Sequence, residues 1–171
     1  MTKIIFHIIL LTIATFGVVS SQDIVNPKFD KKVDGMISYH VPVISVEKAC
    51  NDTISGYIFL DAREKEEYDV SHIPKARYIG YDNFNISSIT DLPKNKPIIV
   101  YCSIGYRSDR VGKILEQAGF TNVYNLYGSI FEWANRGFLI VDNNNEPTKR
   151  LHTYNKKWSQ WVDNPDVEKV W

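Results

Sequence analysis

The sequence predicts an α/β fold built on a parallel sheet, and three observations carry that expectation. Tyr57-Ile58-Phe59-Leu60 and Ile98-Ile99-Val100-Tyr101 are short, wholly apolar runs, the pattern of strands buried on both faces. Val111, Ile114, Leu115 and Ala118 fall at helical spacings of three and four. Turn-rich stretches, of which residues 91–97 (two prolines, an asparagine and an aspartate) are the densest, separate the runs as alternating strand and helix units require.

Taken in order, the chain of 171 residues opens with Lys3 and an almost continuous apolar run from Ile4 to Val19, followed by Ser20 and Ser21. That layout is a signal peptide cleaved after Ser20 or Ser21, with an uncleaved anchor helix as the competing reading. Residues 22–38 read as an N-terminal arm, its part around Pro27 as linker. Ser45 caps a helical pattern over residues 43–50, with Val46, Ala49 and Cys50 on one side. A strand at 57–60 leads to Asp61, a short helical stretch follows at 64–68, and His72-Ile73-Pro74 is loop. The second strand, 98–101, precedes a helix over 108–118, which Gly119 closes. Residues 122–126 form a third strand. Beyond residue 140 lies an aromatic extension, residues 141–171, in which Leu151, Tyr154, Trp158 and Trp161 share a helical face expected to pack on the domain.

Composition narrows the function. Charges balance at 20 basic and 20 acidic residues, so no nucleic-acid partner is indicated. Cys50 and Cys102 are too few for a disulfide scaffold, although an exported chain could pair them. Cys50 reads as a core-facing helix residue. His40, His72 and His152 stand apart, without carboxylates or cysteines at ligand spacing, so neither metal nor other cofactor is expected. Once the signal is removed, no stable membrane association is expected either.

The chemistry points to Tyr101-Cys102-Ser103-Ile104-Gly105-Tyr106-Arg107-Ser108. A buried strand ends at Cys102, a glycine-containing loop follows, and a helix begins near Ser108. Loop amides converging ahead of a helix N-terminus favour negative charge, so a cysteine there titrates below the free value of about 8.5. Gly105 permits backbone conformations closed to other residues, and Arg107 adds a forked cation.

These residues resemble the active loop of the rhodanese-like family, and the similarity runs from Tyr39 to Phe138. Asp61-Ala62-Arg63 is similar to the family's aspartate–any–arginine motif after a strand. Glu67-Tyr68 with Ser71-His72-Ile73-Pro74-Lys75-Ala76 resembles its Gly-His-Ile-Pro-Gly-Ala segment, with Ser71 and Lys75 in place of both glycines. Tyr127-Gly128-Ser129-Ile130 and Trp133 resemble its closing double-glycine and tryptophan motif, with Tyr127 replacing the first glycine.

The resemblance implies a five-stranded parallel sheet with helices on both faces over residues 39–140. It also implies a sulfurtransferase: Cys102 takes a sulfane sulfur from a small donor such as thiosulfate and passes it to a thiol or cyanide acceptor, a protein thiol among them. Ser103, Ile104, Gly105, Tyr106 and Arg107 would bind substrate, the amides holding the persulfide and Arg107 orienting an anionic donor. Asp61, Arg63 and Ser108 would support the site, the first two as a structural ion pair. His72 would bond loop backbone. Two alternatives stay open: a sulfur-carrier or docking module without turnover, and, less in keeping with the four residues between Cys102 and Arg107, a phosphatase or arsenate-reductase-like activity. The signal segment places the protein in a periplasm or outside the cell. N-terminal sequencing of the exported protein is expected to begin at Ser21 or Gln22; a membrane-bound chain still beginning at Met1 would identify an uncleaved anchor.

Overall fold

The computed structural model describes residues 24–51 and 56–171; the expected signal segment, residues 1–21, lies outside the described residues. In chain order the elements are α1 (Pro27–Asp34), β1 (Val43–Ile44), α2 (Val46–Asn51), β2 (Ile58–Asp61), α3 (Lys65–Val70), β3 (Arg77–Tyr78), β4 (Ile98–Tyr101), α4 (Tyr106–Gln117), β5 (Val123–Leu126), α5 (Ser129–Asn135), β6 (Ile140–Val141), β7 (Pro147–Thr148), β8 (Arg150–His152) and β9 (Glu168–Val170). Strands β1 to β5 form one sheet in the order β1-β5-β4-β2-β3, every pair parallel.

β4 lies at the centre with all of its side chains buried, which is why its sequence shows no polar alternation. Ile99 and Tyr101 enter one apolar cluster, Ile98 and Val100 the other, as the two-residue period of a strand demands. The first cluster includes Val46 and Ala49 of α2 and Ile130 and Phe131 of α5; the second includes Val111 and Leu115 of α4. Helices thus cover both faces. The buried stripe of α4 runs through Ser108, Val111, Gly112 and Leu115. Ile114 falls beside that stripe and is 43% exposed, contrary to its expected place on the packed face.

The short strands β1 and β3 escaped the sequence reading, because two residues carry no periodicity. Val43 and Ile44 belong to the sheet, and the helix begins only after Ser45, whose hydroxyl accepts the Lys48 amide at 3.2 Å. Residues 27–34 are a helix rather than a linker. Asn26 caps it, accepting the amides of Lys28 (2.9 Å) and Phe29 (3.3 Å), and Pro27 opens its first turn. Phe29 and Val33, four residues apart, are both fully buried.

The tail also differs from expectation. Leu151 sits in β8, which pairs with β9, and Tyr154 adopts a φ of 65° that no helix accommodates. Helical hydrogen bonding is confined to a 3-10 turn over Trp158–Trp161. The tail has contacts with the first cluster and with α5. Leu151 is fully buried, and Trp158 and Trp161 pack against the first cluster. Asn135 of α5 donates to the Trp161 carbonyl (3.0 Å) and accepts the Asp163 amide (2.7 Å). Trp161 stacks on Phe29 at 5.7 Å, so arm and tail meet. Phe29→Ala is expected to cost about 3–5 kcal/mol, read as a lowered urea midpoint at constant slope. A loss under about 1 kcal/mol would show α1 to be dispensable.

Candidate active site

Parallel strands deliver their functional groups to one edge. Asp61 ends β2, Cys102 follows β4, and these strands are neighbours. From there the chain leaves β2 for β3 on one side and β4 for β5 on the other, so a crevice opens between α3 and α4.

Cys102 is 1% exposed at the foot of that crevice. Its Sγ accepts the Gly105 N–H at 3.2 Å, and the Ser108 hydroxyl lies 3.6 Å from it. The same hydroxyl is 2.7 Å from Asn125 Oδ1 and can donate to either partner. Helix α4 starts at Tyr106, two residues earlier than the sequence implied, because Gly105 at φ 121° makes the turn by itself.

The Gly105 amide reaches the sulfur in a loop whose carbonyls are held elsewhere. Cys102 O accepts the Ile130 amide and Ser103 O the Phe131 amide, both at 3.2 Å, from the first turn of α5. Asn125 Nδ2 donates to Gly105 O at 3.0 Å. The Cys102 amide itself donates to the Ser129 hydroxyl (3.1 Å), which donates to Leu126 O (3.1 Å). Gly128 and Ser129, both at positive φ, set α5 at the angle that makes this clasp.

Burial alone would raise the Cys102 thiol. The Arg107 charge and the donors of Ser108 and Gly105 outweigh it, so the thiol titrates below its ordinary value. Cys50 moves the other way, raised by burial and by Glu47. Cys102 is a free thiol, so the Cys50–Cys102 disulfide that an exported chain could form is not made.

Arg107 has a carboxylate partner that the sequence did not reveal. Its terminal nitrogens grip Glu67 at 2.6 and 2.8 Å, and one also reaches the Ser103 hydroxyl at 2.9 Å. That hydroxyl in turn donates to Glu67 (2.9 Å). Burial would raise the Glu67 carboxyl, but the hydrogen bonds and charge of Arg107 hold it below the usual range. Arg107 is thus anchored by a buried carboxylate while its charge still reaches Cys102.

Asp61 and Arg63 form a fully buried ion pair, with Arg63 Nη2 at 2.7 Å from Asp61 Oδ2 and 2.6 Å from Ser71 O. The pair ties the end of β2 to the following loop and does not line the crevice. The His72 Nδ1 meets Tyr68 O at 3.1 Å, and its ring stacks on Tyr68 at 3.9 Å. Lys75 sits at φ 63°, which accounts for glycine there in the motif it resembles; Ser71 is extended and unstrained.

The crevice encloses about 440 Å³ above Cys102, Ser103, Ile104, Tyr106 and Arg107. Its walls include Met36 from the arm, Glu64, Tyr81 and Asp82 from the domain, and Tyr154 and Trp158 from the tail. The sequence reading did not assign roles to Glu67, Asn125 or Ser129. Glu67 is one of three acids within four residues, and apart from the motif resemblance that includes it, no helical periodicity marks which one turns inward. The two others act from strands and turns far along the chain.

The family model for the Rhodanese-like domain matches residues 46–136. The chain belongs to this family. Among relatives, it is 33% identical over 84 residues to the tRNA uridine(34) hydroxylase of Sodalis glossinidius, a match covering 46% of this chain and 24% of that protein. The chain therefore spans about a quarter of the curated relatives' length. In structure it is similar to the BH2092 protein of Bacillus halodurans (TM-score 0.56, 24% identity, 68% of this chain and 87% of that one). It is also similar to the thiosulfate sulfurtransferase of Pseudomonas aeruginosa (TM-score 0.54, 21% identity, 77% of this chain and 26% of that one). At these identities the two structures speak to the rhodanese fold alone.

The rhodanese loop makes a checkable claim about the thiol. Alkylation of Cys102 by iodoacetamide, followed against pH, is expected to show a midpoint below that of an ordinary cysteine. Arg107→Gln should move the midpoint up, and Ser108→Ala should move it up by less. An unchanged midpoint in Arg107→Gln would show that the guanidinium does not stabilise the thiolate.

Proposed function

We propose that this rhodanese-like protein is a sulfurtransferase that carries sulfane sulfur as a persulfide on Cys102. The observation that supports this reading most directly is the low-titrating thiol at the foot of an open crevice, met by the Gly105 and Ser108 donors and the Arg107 charge. Such a thiol ionises more readily than an ordinary cysteine, and its thiolate attacks without a general base.

With thiosulfate as donor, the thiolate attacks the outer sulfur, a new S–S bond forms, and sulfite leaves with the electron pair of the old one. A thiol or cyanide acceptor then attacks the terminal sulfur of the persulfide and returns the thiolate. The donors around Sγ meet the charge at both stages, which is the preorganisation that electrostatic catalysis requires. The hydroxylase name of the relatives belongs to proteins much longer than the matched region, and this proposal takes only sulfur chemistry from the family. Export of the mature chain remains part of the proposal, on the strength of its first twenty-one residues.

Purified protein incubated with thiosulfate is expected to gain the mass of one sulfur on Cys102, and to release thiocyanate when cyanide is added. Cys102→Ser should do neither. Persulfide formation without thiocyanate release would make the protein a carrier module, and no persulfide from any sulfane donor would end the sulfur reading.

A further inference from the structure

We infer that the sulfur compound this site is built for is organic, with an aromatic or apolar body that lodges against Tyr154 and Trp158 of the C-terminal extension. The inference rests on the sulfurtransferase reading and names the substrate class for it.

Size is the first argument. A cavity of about 440 Å³ falls within the range that holds small organic ligands, and a thiosulfate ion would fill only a minor part of it. Charge is the second. Glu64 and Asp82 line the cavity, and Arg107, the cation in the lining, is matched by Glu67. Lys32 and Arg110 are near, but they lie against the Trp158 and Tyr106 rings, at 5.5 and 3.5 Å, and are not part of the lining. A dianion entering here meets two wall carboxylates and one guanidinium already shared with Glu67.

The third argument is how the aromatic wall is held. Tyr154 is 54% exposed and keeps a positive φ of 65°, a costly conformation for an aromatic residue. Its amide donates to His152 Nδ1 (3.1 Å), and its ring stands 5.7 Å from the Arg107 guanidinium carbon. Strain of this kind, at a half-open ring lining the same crevice as Cys102, places an apolar surface where the body of a substrate would lie. Trp158 is fixed beside it by packing on the core, and Met36 adds a soft, adaptable contact.

For a thiosulfonate donor, the Cys102 thiolate attacks the outer sulfur, the S–S bond of the donor breaks, and the sulfinate leaves with the electron pair. Benzenethiosulfonate and methanethiosulfonate share that reacting group and its single negative charge, and differ in the body alone. Benzenethiosulfonate is expected to show a KM about tenfold lower than methanethiosulfonate. Tyr154→Ala should remove most of that ratio, and Tyr154→Phe should restore it. Comparing ratios between proteins cancels the different leaving-group reactivities. Independently of turnover, Cys102→Ser should bind benzenesulfinate more tightly than methanesulfinate in calorimetry.

A KM ratio that is the same in wild type and Tyr154→Ala, or equal binding of the two sulfinates, would overturn the inference while leaving sulfur transfer intact. If no donor forms a persulfide on Cys102, the sulfurtransferase reading fails, and the sulfinate comparison still decides whether the aromatic wall binds such a body.

Discussion

Burying an anionic sulfur costs free energy unless donors and a cation meet it, and the crevice end of this protein is organised by that requirement. A sulfur that is 1% exposed receives the Gly105 amide, lies beside the Ser108 hydroxyl, and shares its surroundings with Arg107. None of these would face it if the loop were free to turn. The first turn of α5 takes the carbonyls of Cys102 and Ser103, and Asn125 takes that of Gly105. Strand β5 and helix α5 therefore act on the chemistry without touching the sulfur.

Arg107 brings the same problem one shell outward. A guanidinium so enclosed needs its own counter-charge, and Glu67 supplies it through two hydrogen bonds, with Ser103 bridging the pair. The result is a rigid link between α3 and α4 across the crevice. It holds Arg107 still beside the thiolate, and it also makes the site poorer at attracting anions than an unpaired arginine would be. One contact thus both fixes Arg107 beside Cys102 and joins α3 to α4.

The arm and the tail complete the cavity. Phe29 of α1 stacks on Trp161, Tyr127 donates to Asp30 at 2.9 Å, and Asn135 fastens the tail to α5. Tyr127 stands where the motif it resembles has glycine, and here its hydroxyl anchors the arm. Met36, Tyr154 and Trp158 reach the active crevice only because these extensions are docked.

Much of this was legible along the chain. The runs at 57–60 and 98–101, Cys102 with its glycine loop, and the helix closed by Gly119 are local patterns, and they emerged close to where the sequence placed them. Other features were not legible, for identifiable reasons. β1 and β3 are two residues each, too short for periodicity, and α1 shows two apolar residues among charged ones. The tail's spacing of apolar residues matched a helix, but Tyr154 takes a left-handed conformation and β8 pairs with β9 instead. By itself the sequence determined where Cys102 sits, between a buried strand and a helix, since turn chemistry and apolar runs act over a few residues. Tertiary structure alone decided which acid answers Arg107, which groups turn the loop amides inward and which rings wall the cavity, because those partners lie tens of residues apart and are chosen by packing.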